Sequence, residues 1–426
     1  MEKGKSLSRR TMLAASAAAL AMPAILSGAE PTADPVRVGH IGAGVRGWDL
    51  VKHTGSIKGA KVVAVCDVYK PHLARGLEAA NNPDVKAYHS YHDLLADPDV
   101  EAVIIATPDH GHEQMVLDAV AAGKAVYCEK GFTTSVDAAK RMRAAIKKNN
   151  TVFQLGHQGR QYPSTLAAGQ LIRDGGIGPV TLVHTGRYFN GTKERAPWRW
   201  YGWYSVYDRP DPVQVVKDLD WEAWLGPAPR IDFNEAHFWH WRCYWAYGTG
   251  QAGDLLSHEL DHVQSVLGWG IPDTCMCTGH NAFFRDGREV PDTWLANYTF
   301  EKQHCSLSFE GCMNSAREQP PEYIGKTGRL IFNGIGQDAN RFFVYPDAPA
   351  FPHMGRELKP SSVYDPAKED AWPTHMDDFL RCVRTGERPR CNEDEAFVEV
   401  VTLLMSVISY HEKRQVRWDA AAETIV

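Results

Sequence analysis

Apolar and polar positions along the chain fall into two regimes. Between Val36 and about Gly156, short apolar runs alternate with segments whose apolar residues recur at helical spacing. The runs at 37–41, 61–66, 102–106, 125–128 and 152–155 predict strands, and segments near 47–53, 71–80, 91–96, 112–122 and 134–148 predict helices. Strand and helix taken in turn imply an α/β fold with a parallel, doubly wound sheet. From His157 the pattern changes. Pro163–Gly175 predicts a helix, Val180–Tyr188 begins a long strand, and further strands are expected at 294–300, 304–311 and 328–332. Two closing segments, Thr374–Pro389 and the apolar helix Glu395–Glu412, read as packing, with His375 a candidate for the cleft. A chain of 426 residues is too long for one ordinary core. Residues 36–156 are therefore read as one domain and 157–426 as a second.

The first predicted strand runs into a glycine-rich turn, Val36–Gly47 (VRVGHIGAGVRG), with Gly42, Gly44 and Gly47 at G-x-G-x-x-G spacing around Val45 and Arg46. The first glycine allows a tight turn, the second lets backbone approach a pyrophosphate, and the third lets helix pack on strand. A phosphate would then meet the amides at a helix start, where the macrodipole favours negative charge. A glycine-rich turn without a ligand is the bland alternative. The second strand, Lys61–Asp67 (KVVAVCD), ends in an acid 25 residues after Gly42, where a carboxylate accepts from an adenosine ribose. Asp67 with no arginine directly after it points to NAD; Lys70 and Arg75 nearby make NADP the second choice.

A net charge of −6 argues against a nucleic-acid partner. Nine cysteines, with Cys66 and Cys128 in strand-like apolar runs, read as buried thiols rather than a disulfide framework. Residues 1–29 read as an export signal: Arg9 and Arg10 follow Ser8, an alanine-rich stretch runs to about Leu26, and Ser27-Gly28-Ala29 offers small residues for cleavage. Twin arginines indicate the twin-arginine translocase and a periplasmic destination. No cysteine follows for a lipid anchor, and the stretch is short for a spanning helix. A protein exported folded would carry its NAD with it, which calls for tight binding.

Two loops at predicted strand ends carry candidate chemistry, since ligands of doubly wound sheets bind beyond the carboxyl ends of the strands. The first is Ala106–His112 (ATPDHGH), from which Thr107, Pro108, His110 and His112 are candidates for the cofactor, His112 equally for capping or packing. The second is Cys128-Glu129-Lys130-Gly131, where a lysine in a cleft can hold a substrate hydroxyl and help remove its proton. In that order and spacing, the glycine turn, Asp67, ATPDHGH and CEKG resemble the glucose–fructose oxidoreductase/inositol dehydrogenase (Gfo/Idh/MocA) family over essentially the whole mature chain. The resemblance implies a second α+β domain built on a large open, mostly antiparallel sheet, through which a second copy of the chain would associate. It also implies that Glu129 and Lys130 stand at the cofactor and that Lys130 touches the substrate. The family usually has proline where this chain has Gly131, which would leave that loop looser.

The second constellation is Gly250–His262 (GQAGDLLSHELDH), with Asp254, His258 and Asp261 at i, i+4 and i+7 on one helical face. A carboxylate one turn before a histidine can orient the imidazole as a general base. The family motif matches these positions, with Thr249 where a glycine is often found. His157 and Arg160, at the domain junction, are candidates to line the substrate site. Residues 190–247 hold eight tryptophans, most of them read as core; the stretch around Trp198, Trp200 and Trp203 reads as an exposed loop whose rings could face a sugar, and Trp198 is the candidate. His258–His262 also satisfies H-E-x-x-H, a zinc-protease signature, but the two-domain pattern belongs to another fold and no metal is expected. The expectation is a periplasmic NAD-dependent oxidoreductase acting on a sugar or glycoside secondary alcohol, with Lys130, His258 and Asp254 as its catalytic residues. A glycosidase working by oxidation, elimination, hydration and re-reduction would use the same residues. A non-catalytic sugar-binding relative is the third possibility.

Overall fold

The computed structural model describes residues 34–198, 209–334, 340–347, 359–365 and 374–426. Residues 1–29, expected to be an export signal, and Arg199, Trp200 and Trp203 of the tryptophan-rich stretch lie outside the described residues. Everything below concerns the unit from Val36 to Val426.

Strands β1 (Val36–Ile41), β2 (Ala60–Cys66), β3 (Lys86–Tyr88), β4 (Ala102–Ile105), β5 (Ala125–Glu129) and β6 (Phe153–Gly156) form a six-stranded sheet in the order β3-β2-β1-β4-β5-β6. Its strand pairs run parallel. The order reverses between β1 and β4, which opens a crevice at their carboxyl ends. Apolar runs such as Ala102–Ile105 are wholly buried, as strands covered by helices on both faces require. The helices lie at Val45–Ser56, Lys70–Ala79, Tyr91–Ala96, His112–Ala121 and Val136–Asn149. β3 escaped the sequence reading because three residues give no periodicity.

The second sheet has ten strands: β7 (Val180–Tyr188), β8 (Thr274–His280), β9 (Thr293–Phe300), β10 (Cys305–Cys312), β11 (Glu322–Gly325), β12 (Gly328–Phe332), β13 (Phe342–Pro346), β14 (Ser362–Tyr364), β15 (Val416–Asp419) and β16 (Thr424–Ile425). Their order is β14-β13-β12-β11-β7-β10-β9-β8-β15-β16. β7 and β10 pair in parallel and the other pairs are antiparallel. β9 alternates buried and exposed positions, so one face covers core and the other does not. Helices Ser257–Leu267 and Glu393–Glu412 fill the space behind the sheet and are buried along most of their length.

The chain end returns to the first sheet. Helix His375–Thr385, fixed by a Thr374/Asp377 capping box, seats Met376, Phe379 and Leu380 against Val36, Val38, Ile104 and Tyr127. His375 is buried in this contact, with Nε2 2.7 Å from the Leu155 carbonyl oxygen, and its side chain packs instead of lining the cleft. Among the described residues none of the nine cysteines is in a disulfide, and all but the half-buried Cys312 are buried.

Candidate active site

β1 ends at the glycine turn, and the three glycines do three different things. Gly42 has φ +88°, and a Cβ there would lie 2.7 Å from the Ala106 carbonyl oxygen. A Cβ on Gly47 would come 2.1 Å from the Gly42 oxygen, so it is the helix-packing glycine and does not face the cleft. Gly44 looks into open space, its nearest neighbour being His72 Cε1 at 3.8 Å. Asp67 locks this corner: Oδ2 accepts from Ala43 N at 2.7 Å and Oδ1 from Tyr69 N at 2.8 Å. Gly42, Gly44, Val45, Arg46 and Asp67 line a cavity of about 1060 Å³ that runs along the carboxyl ends of the first sheet. Arg46 and Glu129 close it on one side as an ion pair, Nε and Nη2 lying 2.9 and 2.8 Å from Oε1.

The same cavity is lined by Thr107, Pro108, His110, Glu129, Lys130, His157 and His258, so both strand-end loops and the second-domain helix meet in one place. A helical insert from the second domain forms its outer wall. Asp220 N donates to the Val68 oxygen at 2.9 Å, and Tyr69 bridges to Leu219. Trp224 and Trp239 from this insert, and Trp241 after it, line the cavity. They read as core in the sequence, because which ring faces a cleft depends on how the loops pack and no periodicity records it.

At the reacting end Lys130 Nζ donates to Asp254 twice, to the backbone oxygen at 2.9 Å and to Oδ1 at 2.5 Å. Arg242 Nε donates to the same Oδ1 at 3.1 Å, and Trp198 Nε1 to Oδ2 at 2.7 Å. Burial alone would push the Asp254 carboxyl up, but Lys130 and Arg242 outweigh it and hold the group well below the ordinary carboxylate range. Asp254 is thus an anion that fixes an ammonium. Its carboxylate accepts from Lys130, Arg242 and Trp198 and makes no hydrogen bond to His258, contrary to what the i, i+4 spacing implied. Sharing a face did not decide the partner: Ala252–Leu256 is a π-helical turn, and lysine arrives from the other domain. His258 packs edge-on against His157, ring centres 5.3 Å apart. Burial, and then the charge of Lys130, hold the His258 ring neutral.

Three further expectations are corrected. Trp198 is buried, not an exposed sugar platform; it sits at φ +63° with its indole N–H on Asp254. Arg160 does not line the cavity: Nε lies 2.5 Å from Asp261 Oδ1 and Nη1 3.0 Å from Glu395 Oε2, so its charge is matched inside the protein. His112 is fully buried with Nδ1 2.8 Å from the Gly131 oxygen and Nε2 3.0 Å from the Thr107 oxygen. It braces the two loops against each other and leaves no ring nitrogen for a cofactor. The loop at Gly131 is accordingly pinned, not loose. A Cβ there would come 2.5 Å from Asp109 Oδ2, so glycine makes room for a carboxylate. Asp109, missed in the sequence, lines the cavity with its carboxylate against Gly131, Gly248 and Gly253. Burial pushes it up to about 7 although Lys130 and Arg242 pull the other way.

The H-E-x-x-H match has a different use. Glu259 is held by Arg187, Nε 2.7 Å from Oε1, and by the Thr185 hydroxyl, and His262 packs edge-on against Phe332. Among the described residues no three His, Cys, Asp or Glu side chains are grouped to hold a metal ion. The dinucleotide fits what is present: a turn with room at Gly44, a helix start behind it, and an acid at the ribose position.

A doubly wound dinucleotide-binding domain, joined through one cleft to a large mixed sheet that supplies acid–base groups, defines a class of two-domain oxidoreductase folds. Comparison with known proteins narrows it. Residues 36–157 match the profile described as "Oxidoreductase family, NAD-binding Rossmann fold", and residues 191–277 match "Oxidoreductase family, C-terminal alpha/beta domain". Over these two stretches the chain carries the domains of the Gfo/Idh/MocA oxidoreductase family, and its first domain is an NAD-binding Rossmann domain. It is 37% identical over 151 residues to inositol 2-dehydrogenase 1 of Saccharopolyspora erythraea, covering 35% of this chain and 44% of that protein. Such matches span about half the length of the curated relatives. Among solved structures it resembles the WlbA dehydrogenase of Bordetella pertussis in complex with NADH and UDP-GlcNAcA (TM-score 0.67, 18% identity, covering 91% of this chain and 99% of that one). It resembles equally a levoglucosan dehydrogenase in complex with NADH and levoglucosan (TM-score 0.66, 18% identity, 90% and 99%). At these identities the likeness is one of fold.

Proposed function

We propose that the protein is an NAD-dependent oxidoreductase acting on a secondary alcohol of a carbohydrate. The observation that carries this is a lysine hydrogen-bonded twice to an aspartate, standing with a neutral histidine in the cavity that begins at the glycine turn. NAD, when bound, supplies the hydride acceptor. Lys130 has two N–H bonds fixed on Asp254, which leaves one to aim at a substrate oxygen and stabilise negative charge as the hydroxyl is deprotonated. His258, neutral and open to the cavity, takes the proton. His157 behind it fixes the ring, and its own Nε2 lies 3.8 Å from the buried Glu399. The sugar-like substrates in the names of the inositol and levoglucosan dehydrogenases support the substrate class.

The test is to extract nicotinamide from denatured protein and then assay sugars and glycosides for products. Ketone and NADH in equal amounts support the reading. Released aglycone with unchanged NAD would mean a redox-neutral hydrolase instead, and no product from any carbohydrate would leave a binding protein. We further read residues 1–29 as a twin-arginine signal, on the strength of Arg9-Arg10 and the apolar stretch after it. Lysine at both positions should strand the precursor in the cytoplasm; unchanged export would refute that.

A further inference from the structure

Beside Lys130 and His258 the cavity wall carries two guanidiniums, Arg187 and Arg242. Arg187, in β7, has Nε 2.7 Å from Glu259 Oε1, and Arg242 has Nε 3.1 Å from Asp254 Oδ1 with its guanidinium carbon 4.2 Å from the centre of the Trp241 ring. Arg242 is hydrogen-bonded through Nε alone, while Arg187 meets Glu259 as a close ion pair on its Nε side without a hydrogen bond there. Among the described residues neither terminal fork has a partner, and the side chains stay 16% and 30% exposed. An arginine anchored at Nε by a carboxylate is pre-oriented, and its planar fork matches a second carboxylate at the free end.

The charges around the reacting centre give the same answer. Lys130, Arg187 and Arg242 bring three positive charges; Asp254 and Glu259 return two negative ones. Asp261, in the wall, is neutralised by Arg160, burial and the neighbouring cations keep His258 and His157 neutral, and Asp109, pushed up to about 7 by burial, is about half protonated at neutral pH and cancels only part of the surplus. A cavity with a surplus cation and two open guanidinium forks is poorly matched to a neutral polyol, whose hydroxyls need no charge, and well matched to an acid.

We propose that the carbohydrate taken by this site carries a carboxylate, as in an aldonic or uronic acid or a glycoside of one, gripped by the free forks of Arg187 and Arg242. The inference rests on the carbohydrate reading above but not on the redox step. Binding to NAD-loaded protein is measured by calorimetry for D-glucuronate, D-galacturonate and D-gluconate against D-glucose, D-galactose and glucitol, at low and high salt. At least one acid should bind about tenfold to a hundredfold tighter than its neutral counterpart, with the gap narrowing in salt. Because Arg242 also touches Asp254 and Arg187 also neutralises Glu259, the readout is the acid-to-neutral affinity ratio within each variant: Arg187→Gln and Arg242→Gln should each bring it down about tenfold or more towards one. Equal or tighter binding of the neutral sugars, no binding of any acid, or equal losses for both classes in the glutamine variants would overturn the proposal. NADH formation is recorded separately: an acid that binds with the expected preference but is never oxidised would count against the oxidoreductase reading alone.

Discussion

Asp109 shows how one side chain reshapes its surroundings. Its carboxylate occupies a space that Gly131, Gly248 and Gly253 leave open, so a methyl group at 131 would push straight into it. An acid raised from 3.8 to about 7 in the folded chain binds a proton that the unfolded chain has released. Folding stability therefore falls as pH climbs through that interval. Asp109→Asn removes the linkage while keeping shape. The variant should match wild type near pH 4 and become the more stable of the two, by on the order of a few kcal/mol, by pH 8. Urea unfolding at several pH values measures this, and parallel stability curves for the two proteins would refute it. The sequence held Asp109 in plain view within ATPDHGH yet showed no sign of its burial, because that burial is made by Gly131 on the next strand-end loop and by Gly248 and Gly253 over a hundred residues away. Lys130 and His258 were legible because strand-end position and motif both mark them. Their link through Asp254 was misread, because spacing along one helix says nothing of a cation arriving from another domain.

At the scale of elements, the six-stranded sheet was readable since buried parallel strands are continuous apolar runs between turn signals. The second sheet was half readable. β7, β9, β10 and β12 show in the pattern; β11, β13, β14, β15 and β16 have five residues or fewer, and β8 (TCMCTGH) mixes small and polar residues. The element with most bearing on function is the insert at 212–239, whose position no pattern foretold. Its Phe238 and Trp239 pack edge-on against Tyr69, ring centres 5.4 and 5.7 Å away, two residues after Asp67. The Tyr69 ring thus sits at the centre of the contact that holds this wall, beside the backbone bonds of Val68 and Tyr69 to the insert. Tyr69→Ala should loosen the insert and speed NAD release about tenfold or more, the loss of a large buried ring being worth about 3–5 kcal/mol in a core, while kcat at saturating NAD stays within about twofold. Nicotinamide retained through gel filtration reads this out. Retention equal to wild type would show that the insert does not hold the dinucleotide.

For the whole molecule, the cleft exists only because two sheets meet. The first supplies the glycine turn and Lys130; the second supplies Arg187 from β7, and the helical segments packed with it supply Arg242, Asp254 and His258. A continuous apolar core joins the two sheets, and the His375–Thr385 helix ties the chain end back onto the first, so lysine and aspartate stay in register across the junction. The central claim is that this junction moves hydride from a carbohydrate carbon. It is tested most directly by giving NAD-loaded protein a carbohydrate deuterated at the reacting carbon and following the label by mass spectrometry of the released cofactor. Wild type should yield deuterated NADH, and Lys130→Met, with NAD still bound, should do so about a hundredfold to a thousandfold more slowly. Label that never enters the nicotinamide of the wild-type protein would contradict the account.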